Sequence, residues 1–174
     1  TNPPDINEAI NLIVDEFKTD IYMKDDDHNQ NLSYNIYVPK SLENSNDEKY
    51  PLILFMHDAS IMCNDTRMTL FQGVGGTVWA TEEEQIKHES FIVAPCFNHV
   101  IVGDDFQHTG QYSYIIPMLN DLINNQFKGQ IDTNRLYTTG QSMGCMTSIS
   151  LMCENPNYFA SGMFVAGQWD VTVM

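Results

Sequence analysis

Residues 135 to 144 carry the strongest structural signal in the chain: Arg135-Leu136-Tyr137-Thr138-Thr139-Gly140-Gln141-Ser142-Met143-Gly144. The β-branched and aromatic residues of 135–139 favour a strand. Residues 143–154 favour a helix, which Asn155-Pro156 would end. A bare Gly-x-Ser-x-Gly arises by accident in roughly one chain in twenty of this length. Its position directly between a strand and a helix makes the motif specific, and predicts a tight turn that holds Ser142.

The predicted turn assigns a role to each of its residues. A turn of this kind strains the serine backbone and projects the hydroxyl above the carboxyl ends of the strands, which makes Ser142 the candidate nucleophile. Gly140 and Gly144 must be small, because strand and helix pass close together there. The helix that begins at Met143 points free N–H groups at any negative charge formed beside Ser142. The alternative is an ordinary flexible connection between strand and helix.

Outside the turn, buried strands alternate with helices. Nearly continuous apolar runs predict strands buried on both faces, and they are followed by helical stretches. The predicted strands are 51–56, 91–94, 135–139 and 162–166. The predicted helical stretches are 77–88 (one helix, or a helix with a loop), 112–127 (despite Pro117) and 143–154. This alternation predicts right-handed crossovers, a mainly parallel sheet with helices on both faces, and one α/β domain over residues 1–174.

The amino-terminal part has a different pattern. Residues 7–17 have the spacing of a short amphipathic helix, or of a helix that runs into a first strand. Residues 17–23 and 32–38 alternate as half-buried strands do, and we expect both to lie at the sheet edge. The polar run 25–29 between them predicts a hairpin loop, and 41–49 predicts another polar loop.

Composition limits the function classes. Hydrophobic residues make up 43% of the 174 positions, enough for a packed core, while the formal net charge of −15 would repel a phosphate backbone. The charge therefore argues against nucleic-acid binding. No run approaches the roughly 20 apolar residues of a membrane span. Because the first residue is Thr1, we expect a processed or excised piece of a longer chain.

The four cysteines suggest neither a metal site nor a cross-link. Cys63, Cys96, Cys145 and Cys153 form no Cys-x-x-Cys pair and have no histidine at metal spacing. We therefore predict no metal, no cofactor and no disulfide framework. Cys145 and Cys153 are interpreted as packing residues of the helix over 143–154.

With the turn in place, the chain resembles the α/β-hydrolases, in their esterase and predicted-peptidase branch, which is related to polyhydroxybutyrate depolymerase-like and feruloyl-esterase-like enzymes. The resemblance covers most of residues 32–170. Besides the turn, its pieces in chain order are Tyr34-Asn35-Ile36-Tyr37-Val38-Pro39, Tyr50-Pro51-Leu52-Ile53-Leu54-Phe55-Met56-His57, Trp79-Ala80, residues 87–95, Ile131-Asp132-Thr133-Asn134-Arg135-Leu136-Tyr137 and Asn155-Pro156-Asn157-Tyr158-Phe159-Ala160. It implies a serine esterase that forms an acyl-enzyme, with the backbone N–H groups of Met143 and Ala59 as the oxyanion hole.

One loop departs from the family pattern. Where relatives usually read His-Gly-x-Gly, this chain reads His57-Asp58-Ala59-Ser60. The Asp58 carboxylate would oppose the developing negative charge unless it is turned away or paired. Asp58, Gln141 and Trp79 are candidate cleft-lining residues, with core packing as the alternative for the last two.

The resemblance also implies an acid and then a histidine after the nucleophile, and neither is evident. No histidine follows Ser142, and Asp170 is interpreted as a cleft-rim or loop-capping residue. His57 is interpreted as structural and His88 as a helix surface residue, while His99 and His108 are loop residues that could line the cleft. We expect the acid, the base and the last strands to lie in a missing carboxyl-terminal segment or another chain, which leaves an apolar sheet edge exposed.

The predicted activity follows from the resemblance. It implies hydrolysis of a small-molecule or polymer ester, of the carbohydrate-linked or polyester kind. A peptidase on the same fold and a noncatalytic hydrolase-like binding domain are the alternatives, the second because of Asp58, Ser60 and the missing base. An extracellular or cell-surface location fits the start of the chain, its acidity and the resemblance to esterases, and the cytoplasm is the alternative.

Overall fold

The computed structural model describes residues 5–24, 30–44 and 47–172. Their main elements are α1 (Ile6–Val14), β1 (Lys18–Met23), β2 (Asn31–Tyr37), β3 (Tyr50–Met56), α2 (Glu82–Lys87), β4 (Phe91–Cys96), α3 (Ile115–Asp121), β5 (Ile131–Gln141), α4 (Met143–Glu154) and β6 (Ser161–Val165). The predicted hairpin loop 25–29 lies outside the described residues.

The six strands form one sheet in the order β1-β2-β4-β3-β5-β6. β3, β4, β5 and β6 run parallel, while β1 and β2 join at one side through antiparallel pairs. The predicted mainly parallel sheet is confirmed. The prediction of two edge strands is wrong for β2, which lies between β1 and β4 and is buried over Tyr34–Tyr37.

Helices cover both faces of the sheet because strand side chains alternate between two layers. Leu52, Leu54 and Met56 of β3 face the larger cluster, which includes side chains of α3 and α4. Phe55 faces the smaller cluster, where Val14 of α1 also packs. The site described below lies where the parallel strands end and α4 begins.

Two predicted helices are divided. The stretch predicted as 112–127 is a 3₁₀ turn (Gly110–Tyr114), then α3, then one π-helical segment (Leu122–Gln126). Pro117 is tolerated because it lies in the first turn of α3, where no intrahelical N–H bond is lost. The stretch 77–88 contains a 3₁₀ turn (Val78–Ala80) and α2, separated because Thr81 is extended, with φ −61° and ψ 148°, and its side chain caps α2.

The expectation of no disulfide is wrong. Cys63 and Cys96 are joined, with their Cα atoms 5.5 Å apart and a sequence separation of 33. The pairing is possible because Cys63 follows β3 and Cys96 ends β4, and these strands are parallel neighbours, so their carboxyl ends meet. Cys145 is buried in α4 and Cys153 is half-buried there, and both are free, as expected of helix packing residues.

The far edge of the sheet is apolar. β6 pairs with β5 and has no further partner among the described residues. Met163, Phe164 and Val165 are 49%, 45% and 42% exposed. The expected apolar edge is thus present. Within the described ranges, no helix has the length and apolar character needed to cross a membrane.

Candidate active site

Ser142 has the backbone conformation expected of the turn. It stands between the end of β5 and the start of α4, with φ 51° and ψ −115°. Such a positive φ is unfavourable for a residue with a side chain and persists only where the surroundings enforce it. Here the Ser142 N–H donates to the Val165 carbonyl at 2.9 Å. Ser142 is exposed while the helix that follows is buried, so the turn presents its hydroxyl to solvent.

Gly140 and Gly144 are small for the predicted reason. A Cβ added to Gly140 would lie 2.5 Å from the Met56 carbonyl oxygen, and one added to Gly144 would overlap the same oxygen. Neither contact can be relieved by a side-chain rotation, because Met56 offers its backbone. The end of β3, the end of β5 and the start of α4 therefore meet at van der Waals distance through two glycines.

The first turn of α4 supplies donors beside Ser142. The Ser142 carbonyl accepts the N–H of Met146 at 3.0 Å, which closes the first turn. The N–H groups at the start of any helix have no intrahelical acceptor, and the helix dipole is positive there. Met143 is the first residue of α4. Its N–H is thus a candidate oxyanion donor, as predicted.

His57 is a structural clamp. Its Nε2 accepts the Phe97 N–H at 2.9 Å, so the ring proton is on Nδ1, which donates to the Asp58 carbonyl at 2.7 Å. The side chain is fully buried, and burial lowers its pKa below the usual 6.5, although the Asp58 carbonyl acts in the opposite direction. Both ring nitrogens are occupied, which is consistent with the predicted structural role.

The clamp orients the next peptide. In a planar trans peptide the C=O and the following N–H point in opposite directions. Because the Asp58 carbonyl is held toward the buried His57 ring, the Ala59 N–H points away from that ring. Ala59 itself is exposed. This orientation suits the predicted role of Ala59 as an oxyanion donor.

The Asp58 carboxylate is paired. Its Oδ1 accepts the Ser60 N–H at 2.7 Å and the Ser60 hydroxyl at 2.5 Å, and its Oδ2 accepts Gln141 Nε2 at 3.1 Å. Burial alone would raise the pKa of Asp58, but these hydrogen bonds outweigh it and lower the pKa to about 2. The carboxylate is therefore ionised at neutral pH and paired with hydrogen-bond donors. This pairing is the condition under which Asp58 would not oppose a developing oxyanion.

The structure brings two of the three candidate cleft residues together. Gln141 precedes Ser142 and contacts Asp58, whereas Trp79 is elsewhere. Trp79 Nε1 donates to the Gly75 carbonyl at 3.0 Å, and its ring packs against the smaller cluster. It also lines a cavity of about 690 Å³, whose lining does not include Ser142, Met143 or Ala59. Trp79 thus packs against the core and also lines this cavity, and its place in the cleft of Ser142 stays a prediction.

His88, His99 and His108 are not hydrogen-bonded to Ser142. His88 ends α2 and His99 lies in a loop. His108 Nε2 lies 2.6 Å from Glu154 Oε1, at the far end of α4 from Ser142. Among the described residues, no histidine hydrogen-bonds to Ser142, and no group of three or more His, Cys, Asp or Glu could hold a metal ion.

Asp170 caps its own loop. Its Oδ1 accepts the Thr172 N–H at 2.9 Å and the Thr172 hydroxyl at 2.7 Å, and these bonds lower its pKa. Loop capping, one of the two interpretations, is confirmed.

Sequence reasoning missed one residue of the site. Gln72 follows the 3₁₀ turn Thr66–Phe71, and its Oε1 accepts the Asp58 N–H at 2.8 Å while its Nε2 donates to Ser60 Oγ at 3.2 Å. No local pattern marks a residue 14 positions away as a partner of Asp58. The Asp58-x-Ser60 spacing, in contrast, is a recognisable signal for a side chain that closes a turn on the backbone two residues later.

None of the protein-family models matches the sequence, and none of the curated proteins does. Solved structures match. A thermostable esterase superposes with a TM-score of 0.83 at 27% identity, over 92% of this chain and 44% of its own. An acetyl xylan esterase from Aspergillus awamori superposes at 0.57, with 17% identity, over 90% of this chain and 56% of its own.

A fluorophosphonate-binding serine hydrolase of Staphylococcus aureus superposes at 0.59, with 15% identity, over 90% of this chain and 58% of its own. At 15% and 17% identity, that structure and the acetyl xylan esterase show the fold alone. The sheet, the helices on both faces and these matches define an α/β-hydrolase fold. Within that fold the chain is similar to the esterases, and it spans about half the length of the solved structures that it matches.

Proposed function

We propose that this chain contains the nucleophile and the oxyanion hole of a serine hydrolase that acts on carboxylic esters. The observation that carries the proposal is the conformation of Ser142: an exposed serine with φ 51° at the first turn of a buried helix. The similarity to esterases supports the same reaction class. Strained backbone conformations of this kind are concentrated at functional sites of proteins.

The reaction proceeds in two stages. A base takes the Ser142 hydroxyl proton, and Oγ attacks the ester carbonyl carbon. The carbonyl oxygen becomes an oxyanion that accepts hydrogen bonds from the N–H groups of Met143 and Ala59. Collapse of this intermediate expels the alcohol, which takes the proton from the base and leaves an acyl group on Ser142. Water then attacks the acyl group by the same route and releases the carboxylic acid.

The base is part of the proposal and is not assigned to a residue of this chain. His57 cannot serve, because Nε2 accepts the Phe97 N–H and Nδ1 donates to Asp58. We propose a histidine from polypeptide beyond these residues or from a second chain, since the chain spans 44% of the thermostable esterase. The apolar edge of β6 is where such polypeptide would extend the sheet.

The substrate proposed is a carbohydrate-linked or polyester-type ester. The net charge of −15 favours neutral or cationic esters over anionic ones. An extracellular or cell-surface location is proposed with it, because the Cys63–Cys96 disulfide is a feature of oxidising compartments.

Activity-based labelling tests the proposal. The natural protein, expressed from its complete reading frame, is treated with a fluorophosphonate and digested for mass spectrometry. We expect an adduct on Ser142, and none in a Ser142→Ala control. An absence of adduct in the folded wild-type protein would favour the noncatalytic binding domain. A panel of p-nitrophenyl esters and aminoacyl amides then separates esterase from peptidase, because the proposal expects turnover of the esters.

A further inference from the structure

We propose that Asp58 is a positioning residue that fixes the relative position of the two halves of the oxyanion hole. One half is the loop that carries the Ala59 N–H, and the other is the turn at Ser142 and Met143. This inference rests on the proposed hydrolase function, and it adds a residue whose position is glycine in the family pattern.

The Asp58 side chain closes the loop that carries Ala59. Its Oδ1 accepts both the N–H and the hydroxyl of Ser60, so the side chain bridges across Ala59 to the residue beyond it. The bridge restricts the backbone angles of Ala59. A glycine at position 58 could not make it, because it has no side chain.

Every polar group of Asp58 has a hydrogen-bond partner. The N–H donates to Gln72 Oε1 at 2.8 Å and the carbonyl accepts from His57 Nδ1 at 2.7 Å. Oδ1 is bound by Ser60 and Oδ2 by Gln141. With both the backbone and the side chain fixed, the peptide between Asp58 and Ala59 cannot rotate without breaking several hydrogen bonds.

The hydrogen bond between Asp58 and Gln141 joins one half of the oxyanion hole to the other. Gln141 is the last residue of β5 and directly precedes Ser142. The 3.1 Å bond from Gln141 Nε2 to Asp58 Oδ2 therefore ties the loop after β3 to the strand end that carries the nucleophile. A donor is effective only when it lies within hydrogen-bond distance of the developing oxyanion, so this tie acts on the rate.

The test uses variants of the natural protein from its complete reading frame. Asp58→Ala removes the carboxylate, and we expect the rate of Ser142 phosphonylation and kcat for p-nitrophenyl acetate to fall about 100-fold, with a much smaller change in KM. Asp105→Ala is the matched control, because Asp105 also accepts the N–H of the residue two positions later, Gln107, at 3.1 Å and is not bonded to Gln141. It should leave the rate unchanged.

Exchanging the donor and the acceptor tests the bond itself. Gln141→Glu places two carboxylates at hydrogen-bond distance, so we expect activity to fall as the pH rises and they come to share no proton. Adding Asp58→Asn introduces a side-chain amide that can donate to the new carboxylate, and we expect roughly a tenfold recovery or more, with the pH profile returned to that of the wild type. A merely structural role for Asp58 would not produce this rescue.

The outcomes distinguish the two proposals. A folded wild-type protein without a Ser142 adduct would refute the proposed function. An active wild type whose Asp58→Ala variant matches Asp105→Ala would refute the role of Asp58 alone. If Asp58→Ala does not fold, as thermal unfolding would show, the exchange of donor and acceptor at positions 58 and 141 decides. A double variant no better than Gln141→Glu would then overturn the inference.

Discussion

Gly144 lies against the backbone of Met56 so closely that a Cβ on the glycine would overlap the Met56 carbonyl oxygen and come within 2.9 Å of the His57 carbonyl oxygen. The start of α4 and the end of β3 can therefore approach each other this closely only because residue 144 has no side chain. This contact fixes the distance between the Ser142 turn and the loop that begins at His57. Both parts of the proposed oxyanion hole depend on it.

Replacing Gly144 with alanine should destabilise the protein, although alanine favours helix by about 1 kcal/mol. We expect a loss of about 2 kcal/mol or more in the free energy of unfolding, because the Met56 carbonyl cannot move aside as a side chain can. Urea unfolding measures the difference. Gly103→Ala is the control, since its Cβ would meet only the side chain of exposed Asp105. A Gly144→Ala protein as stable as Gly103→Ala would contradict the close approach.

The pH dependence of stability should reveal the His57 clamp. Burial lowers the pKa of His57 below 6.5, so the unfolded chain binds a proton that the folded protein does not. Its contribution to stability is complete above pH 6.5 and is lost as the pH falls below 6.5 toward the folded pKa. Urea unfolding at several values from about pH 8 to about pH 5, a range that brackets the ordinary pKa of histidine, should show this loss.

The control for that series is His57→Ala. Other groups titrate in the same range, so the difference between wild type and variant isolates His57. We expect the variant to be less stable by about 2–4 kcal/mol at about pH 8, because the Phe97 N–H and the Asp58 carbonyl lose their partner. The difference should shrink toward acid pH. Parallel curves for the two proteins would show that His57 is not held neutral.

The strain at Ser142 predicts an unusual order of stability. Ser142→Gly and Ser142→Ala both remove the hydroxyl, but only glycine adopts φ 51°, ψ −115° without strain. We expect the glycine variant to be more stable than the alanine variant by about 1 kcal/mol, even though glycine loses more entropy on folding. Differential scanning calorimetry of the pair measures it. An alanine variant of equal or greater stability would mean that the turn is relaxed.

Local patterns in the sequence predicted the parts of the fold that local forces decide. The strand and helix on either side of Ser142 follow from their residue types, and the need for small residues at Gly140 and Gly144 follows from the geometry of the turn. The same holds for α1, where apolar spacing over 7–17 predicted a short helix or a helix that runs into a first strand. The position of Ser142 and the role of His57 as a structural residue could therefore be reached without coordinates.

The rest depends on which strands become neighbours, and no local pattern carries that information. The sequence of β2 alternates polar and apolar residues, but its Asn35 is fully buried, with the side-chain amide donating to the carbonyls of Thr66 and Ala94. The pairing of Cys63 with Cys96 likewise requires β3 beside β4. The bond from Gln141 to Asp58 joins residues 83 positions apart and depends on β3 beside β5.

The disulfide should contribute measurably to stability. A cross-link with a sequence separation of 33 restricts the unfolded chain, and loops of this size are expected to contribute about 3–4 kcal/mol. We expect Cys63→Ser/Cys96→Ser to lower the free energy of unfolding by that amount in urea without reductant. Cys153→Ser, which removes a half-buried free thiol, is the control and should cost much less.

Dithiothreitol supplies the complementary measurement. It should destabilise the wild type and the Cys153→Ser control to the level of the double variant, and leave the double variant unchanged. Alkylation before reduction, followed by peptide mapping, should modify Cys153 and spare Cys63 and Cys96. Because Cys63 lies in the loop that follows Ala59, reduction should also slow phosphonylation of Ser142. Free Cys63 and Cys96 thiols in the natural protein would rule out both the cross-link and the argument for an oxidising compartment.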